Sequence, residues 1–250
     1  MKITFLVENR KGDNSCKSEH GLSQWIEVDD KRILFDLGAS KLYLKNANKL
    51  GVDLATADFI VLSHGHFDHC GKLGCFAYRK PLICHPYAFA KRKYNILNKN
   101  KIIKKLDLIE SVKPYKISES AYFLGEIPCK YDWEKDNDVI DDSAIVLKTP
   151  KGLIITSGCA HSGICNTIEY AKEICKEDRI YAVLGGFHLG FREKGVSEKA
   201  MKTIEYFKEN EVENAYMGHC TSDEIIDAFK EKLGGACNVV QIYTGMEVEL

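Results

Sequence analysis

Three histidines and one aspartate fall within six residues, His64-Gly65-His66-Phe67-Asp68-His69, directly after the short apolar run 59–62. A buried imidazole or carboxylate needs a polar partner, so four of them this close are not core filler. They constrain the chain to gather them around a common centre, and a metal is the simplest one. His64 and His66, one residue apart at the end of a strand, present two nitrogens to one ion. Asp68 and His69 lie on the following turn and can serve a second ion a few ångströms away. Gly65 and Gly71 give the backbone freedom to turn sharply there.

Four residues do not complete two metal sites, so further ligands must come from elsewhere. The later histidines at ends of predicted strands are His161, in Gly158-Cys159-Ala160-His161, then His188, in Gly185-Gly186-Phe187-His188, and His219. Convergence on the metals is strongest for His161 and His219. Cys159 stands where a bridging thiolate can be supplied, and soft sulfur suits zinc; the alternative is a buried thiol. Cys70 and Cys220 also lie beside histidine motifs. His188 reads either as a donor to a developing oxyanion or as a structural histidine. His20, beside Gly21, is a candidate for the substrate mouth. Asp68 has two roles open to it, metal ligand and orienter of the attacking water.

The rest of the pattern specifies an α+β fold. Strands are predicted at 2–8, 24–28 and 32–36, with Asp29-Asp30 as a tight hairpin turn, then a helix at 42–50. The second half repeats this logic, with strands at 144–147 and 153–156, a helix at 166–175 and a strand at 181–184. A helix at 197–210 follows, with Ser197 as N-cap, and a strand at 215–217. Hairpins followed by strand–helix alternation in each half give a four-layer αββα sandwich. No linker divides the 250 residues, so the expectation is a single domain over 1–250.

Composition narrows the partners. A net charge of −1 argues against nucleic acid or an anionic membrane as the main partner. No apolar run approaches the roughly 18 residues of a membrane span, and no signal-peptide pattern opens the chain, so a cytoplasmic protein is expected. Ten cysteines without a CxxC pair indicate neither a disulfide scaffold nor a zinc ribbon. Seven Lys or Arg within 91–105 read as a solvated face or, alternatively, as a nuclease patch.

The cluster His64-Gly65-His66-Phe67-Asp68-His69 resembles the HxHxDH signature of the metallo-β-lactamase superfamily. Leu34-Phe35-Asp36-Leu37-Gly38 is similar to its second-strand motif, whose aspartate braces the histidine loop. Glu19-His20-Gly21-Leu22-Ser23, Asn46-Ala47, Gly158-Cys159-Ala160-His161-Ser162-Gly163-Ile164, Gly185-Gly186-Phe187-His188-Leu189 and His219-Cys220-Thr221 resemble one branch of it. That branch is labelled dihydropterin ribofuranosyl-aminobenzene phosphate synthase-like. The resemblance implies the metallo-β-lactamase sandwich, with His64, His66 and His161 on one metal and Asp68, His69 and His219 on the other. The chain departs from the commonest pattern in two places. Cys159 follows Gly158 where most members place a bridging aspartate, and no histidine stands in the usual third-motif position of the sequence, near Gly125-Glu126-Ile127-Pro128.

The implied activity is hydrolysis of a small molecule at a phosphoryl or acyl centre, with a phosphorylated molecule one candidate, by a hydroxide formed on a pair of divalent metal ions. Zinc is the default, with iron and manganese as alternatives. The iron-dependent oxygen and nitric oxide reductases of the superfamily usually carry a glutamate where His66 stands. Two rival readings are a metal-holding redox or ligand sensor with little turnover, suggested by Cys70, Cys159 and Cys220, and a nuclease.

Overall fold

The computed structural model describes residues 1–12, 15–91, 93–134, 139–190 and 195–250. Among these, two seven-stranded mixed sheets carry the architecture. The first contains β1 (Lys2–Val7), β2 (Ser23–Val28), β3 (Lys31–Phe35), β4 (Phe59–Val61), β5 (Pro81–Cys84) and β6 (Asp107–Glu110) in that order. The second runs from β7 (Tyr115–Lys116) through β8 (Ala121–Phe123), β9 (Ala144–Thr149), β10 (Gly152–Ser157), β11 (Ile180–Gly186) and β12 (Asn214–Gly218) to β13 (Asn238–Gln241). The last strand, β14 (Glu247–Glu249), returns to the first sheet and pairs antiparallel with β1, with Lys2 bonded to Glu247 at 2.8 Å.

Most central strands are apolar on both faces, because both faces are covered. Alternation decides which core each side chain joins. Ile33 and Phe35 of β3 and Ile154 of β10 fill the space between the sheets with Phe5, Val61, Phe123, Ile145 and Leu184. Leu34, one residue out of phase, faces the opposite way with Leu6, Ile60 and Leu82. Leu153 and Ile155 likewise join Val183 and Met217 on the outer face of the second sheet.

Helices cover both outer faces. α1 (Leu42–Lys49) buries Tyr43 and Ala47 against the first sheet. The short α2 (Phe67–Cys70) and α3 (Lys99–Ile102) lie in the same half. α4 (Ile164–Cys175), α5 (Glu198–Glu209) and α6 (Asp223–Leu233) insert Ile168, Phe207 and Phe229 onto the second. The result is the expected αββα order of layers. Among the described residues no helix is long and apolar enough to cross a membrane.

Local expectations held where local chemistry decides. Val28 pairs with Lys31 across Asp29-Asp30, and Asp29 takes a left-handed φ of 49°. Its carboxylate also accepts from the Ser118 hydroxyl at 2.6 Å, tying the first sheet to the chain entering β8. Ser197 caps α5, accepting from Ala200 N at 3.3 Å. The helix expected from Asn166 instead starts at Ile164. Its first amides, Cys165 N and Asn166 N, donate to the carboxylate of the distant Glu134 at 2.9 and 3.0 Å, and Gly163 leaves room for that carboxylate. Of the basic stretch 91–105, Arg92 lies outside the described residues, Lys99 pairs with Glu110 at 2.5 Å, and Lys105 donates to Gly74 O.

Phe207 is fully buried between Phe187 and Phe229, at ring-centroid distances of 5.6 and 5.3 Å. Phe207→Ala is expected to lower unfolding stability by about 3–5 kcal/mol through the cavity it leaves. Urea titration followed by circular dichroism measures it.

Candidate metal centre

Four parallel strands aim their C-terminal ends at one place. β4 leads into Ser63, His64 and His66, with Asp68 and His69 on α2 just beyond. β10 leads into Cys159 and His161, β11 into His188, and β12 into His219 and Cys220. Loops beyond the carboxyl ends of parallel strands are the usual location of ligand sites in α/β sheets. Here the two sheets bring such loops together. Asp36, Ala160, His188 and His219 adopt φ between 50° and 57°, a left-handed conformation that costs a non-glycine residue about 1 kcal/mol or more. The chain turns sharply at these points.

The histidines pack as a single group. The His64 ring lies 4.6 Å from His66 and 4.9 Å from His161, and His66 is 5.0 Å from His161. On the other side His69 Nε2 is 3.0 Å from His219 Nε2 and 3.1 Å from Cys159 Sγ. Asp68 Oδ2 is 3.6 Å from His219 Nε2 and 3.1 Å from His20 Nε2. Among the described residues, donor atoms within 4.8 Å of one another form four sets: His64–Cys159–His161, His69–Cys159–His219, His20–Asp68–His219 and Cys159–His188–Cys220. Cys159 belongs to three of them and lies where the two halves of the centre meet.

Hydrogen bonds set which nitrogen each ring offers. Ser63 Oγ–H donates to Asp36 Oδ2 at 2.6 Å, so the same oxygen accepts from His64 Nδ1–H at 2.9 Å. That leaves His64 Nε2 buried, with no hydrogen-bond partner among the described residues. His69 Nδ1–H donates to Asp36 Oδ2 at 2.7 Å. Asn9 Oδ1 accepts from Gly21 N at 3.0 Å, which fixes its amide orientation, and takes His219 Nδ1–H at 3.1 Å. Three imidazoles are thus braced at Nδ1 and turned inward at Nε2, the arrangement a ligating histidine needs. Imidazole, carboxylate and thiolate donors together suit zinc. The residues present therefore fit a metal centre.

Charge agrees with that fit. Burial pushes His219 down to about 3 and, with His161, pushes His66 down to about 4; His64 is also held well below 6.5. These rings keep free lone pairs at neutral pH. Burial alone would depress His69, but Asp36 and Asp68 lift it to about 9, so positive charge is favoured at that position. Burial would raise Asp68, yet His69, His20 and His219 hold its carboxyl well below the usual carboxylate range. Burial pushes the Cys159 thiol up; an adjacent cation would reverse this.

Every residue singled out in the sequence reaches this centre except Cys70, whose Sγ faces Gly65 O at 3.5 Å. His188 sits 4.3 Å from the His161 ring. The eighth histidine, His85, is buried elsewhere, accepting from Tyr87 N and lying 3.6 Å from Glu126. Gly65 is required by close approach of another segment and not, as expected, by a turn of its own backbone. Its φ is not positive; a Cβ there would meet Ala88 O at 2.3 Å, so close approach demands the glycine. Gly158 is similar, since a Cβ would strike Ser63 Oγ at 2.1 Å.

The braces escaped sequence reasoning. Asp141 accepts from Gly65 N at 2.9 Å, Asp142 from Ser162 N at 2.8 Å, and Ser143 N donates to Ser63 O at 2.9 Å. One segment entering β9 therefore ties the loop after β4 to the loop after β10. Burial pushes Asp142 up to about 6. An Asp-Asp-Ser run before a strand reads as a turn, and only its burial reveals the role.

The sequence profile of the metallo-beta-lactamase superfamily matches residues 20–173. An uncharacterised protein of Methanocaldococcus jannaschii is 35% identical, the alignment covering 88% of this chain and 90% of that one. A second protein of the same organism is named 7,8-dihydropterin-6-methyl-4-(β-D-ribofuranosyl)-aminobenzene-5'-phosphate synthase. It is 33% identical, with 93% of this chain and 91% of its own length covered. Among solved structures, Tm1679, described as a metal-dependent hydrolase of the β-lactamase superfamily, superposes with a TM-score of 0.85 at 28% identity. That superposition covers 100% of this chain and 99% of the other.

Asp36→Ala removes the acceptor that orients His69 and, through Ser63, His64. Metal affinity is expected to fall about 10- to 100-fold, read by chelator competition, while the circular dichroism spectrum keeps its native shape.

Proposed function

The chain belongs to the metallo-β-lactamase superfamily, and from that premise we propose that it is a binuclear metal-dependent hydrolase. Its substrate is a small phosphorylated molecule and its working ion is zinc. The carrying observation is that His69 Nε2, His219 Nε2 and Cys159 Sγ converge, that the same Cys159 shares a second donor set with His64 and His161, and that His64, His69 and His219 are each braced at Nδ1. His64, His66 and His161 would hold one ion, Asp68, His69 and His219 the other, with Cys159 between them. When bound, such a pair supplies an activated water nucleophile near neutral pH and Lewis-acid stabilisation of a departing oxygen.

The chain's own residues supply the rest. Asp68, kept ionised by His69, His20 and His219, accepts a hydrogen bond from the attacking water and orients it. His188, half-buried beside His161, donates to charge developing on the substrate oxygen. In the reaction water oxygen joins phosphorus, the ester P–O bond breaks, and the water proton passes to the departing oxygen. A phosphorylated substrate is supported by the name of the synthase relative, and hydrolysis by the description of Tm1679. All ten cysteines are free thiols, which suits a cytoplasmic, reducing setting.

A second reading, a redox or ligand sensor, draws on one observation: Cys220 stands with Cys159 and His188 within 4.8 Å. Metal analysis of purified protein beside turnover of bis(p-nitrophenyl) phosphate separates the two. The hydrolase reading expects two zinc per chain, and in His69→Ala lost metal with turnover reduced at least about 100-fold. Two metals with no turnover of phosphodiester, lactone or thioester substrates would instead establish the sensor.

A further inference from the structure

A chain of aromatic rings borders the centre. Tyr94 meets the His66 ring edge-on at 5.8 Å and Phe67 at 6.5 Å. Phe67 lies 6.3 Å from His20, and His20 5.3 Å from His219. The arc thus runs from one candidate metal group to the other. Its middle members face outward: Tyr94 is 42% exposed, the His20 side chain 46%, and Phe67 is half-buried.

Tyr94 is held there by backbone. Its φ of 72° is a strained, left-handed value for a tyrosine, and its carbonyl accepts from Phe67 N at 2.9 Å. His66 and Asn95 form an antiparallel bridge, and the Asn95 amide donates to Ala88 O and Ala90 O at 3.3 and 3.2 Å. Gly65 permits this approach, since a Cβ would come within 2.7 Å of Asn95 Nδ2. The ring is therefore fastened to the ligand loop itself. Lys93 Nζ, 4.9 Å from the Tyr94 centroid, adds positive charge at the rim.

An exposed aromatic surface maintained at a backbone cost beside a cation-binding centre complements a ligand with two parts, an anionic head and a flat ring. We propose that Tyr94, Phe67 and His20 form a recognition platform for the organic group of the substrate, with Tyr94 as its specificity-determining residue. The substrate class is an aryl or heteroaromatic phosphate ester. This rests on the phosphoryl reading above and adds the identity of the esterified group.

Calorimetric titration of zinc-loaded protein with phenyl phosphate and with methyl phosphate tests it without needing turnover. Phenyl phosphate is expected to bind about tenfold more tightly than methyl phosphate, a typical worth of one aromatic stacking contact. Tyr94→Ala closes that gap and leaves methyl phosphate affinity unchanged, while Tyr94→Phe keeps it; zinc content of each variant shows that the centre is intact. Equal binding of both ligands by the wild type, or a gap that survives Tyr94→Ala, overturns the aryl class alone. No binding of either at millimolar concentration overturns the phosphoryl reading as well.

Discussion

The fully buried carboxylate of Asp36 is the interaction on which the centre depends. It leaves β3 in a left-handed conformation, accepts from Ser63 N and Ser63 Oγ, and accepts from His69 Nδ1. A carboxylate this deep is tolerable only when its lone pairs are occupied by good donors, and here the donors belong to the loop that carries His64 and His69. Its hydrogen bonds and the ring tautomers of His64 and His69 are one arrangement. Gly158 brings the second sheet's loop against the same pair, because any side chain there would collide with Ser63 and Asp36.

Around that carboxylate the two halves are organised alike. Each sheet has an antiparallel hairpin followed by parallel strands, and the parallel strands carry the candidate ligands at their carboxyl ends. The central core of Phe35, Val61, Ile145 and Ile154 holds the sheets face to face. Rigid strands on both sides place side chains with little freedom, which catalysis and tight ion binding both require. The segment entering β9 then joins the halves through Asp141, Asp142 and Ser143.

Departures from local expectation share a cause. The helix beginning at Ile164 starts two residues early because Glu134, thirty-one residues upstream of Cys165, supplies the acceptors for its first amides. Gly65 is required by a carbonyl from residue 88, not by its own torsion. Asn9 fixes the ring of His219 across a sequence separation of 210. In each case the decisive atom is remote in the chain, so no window around the residue contains it.

The sequence by itself determined the layered αββα fold, through apolar strands with hairpin and capping residues at their ends. It also determined most of the donor set, because three imidazoles and a carboxylate in six residues have few other uses. Tertiary structure alone decided how those donors meet. Cys159 became common to three donor sets, His20 was brought to Asp68, and His85 was left outside. The physical reason is range. Periodicity and caps act over a few residues, whereas ring orientation and buried charge depend on partners delivered by the packing of two sheets.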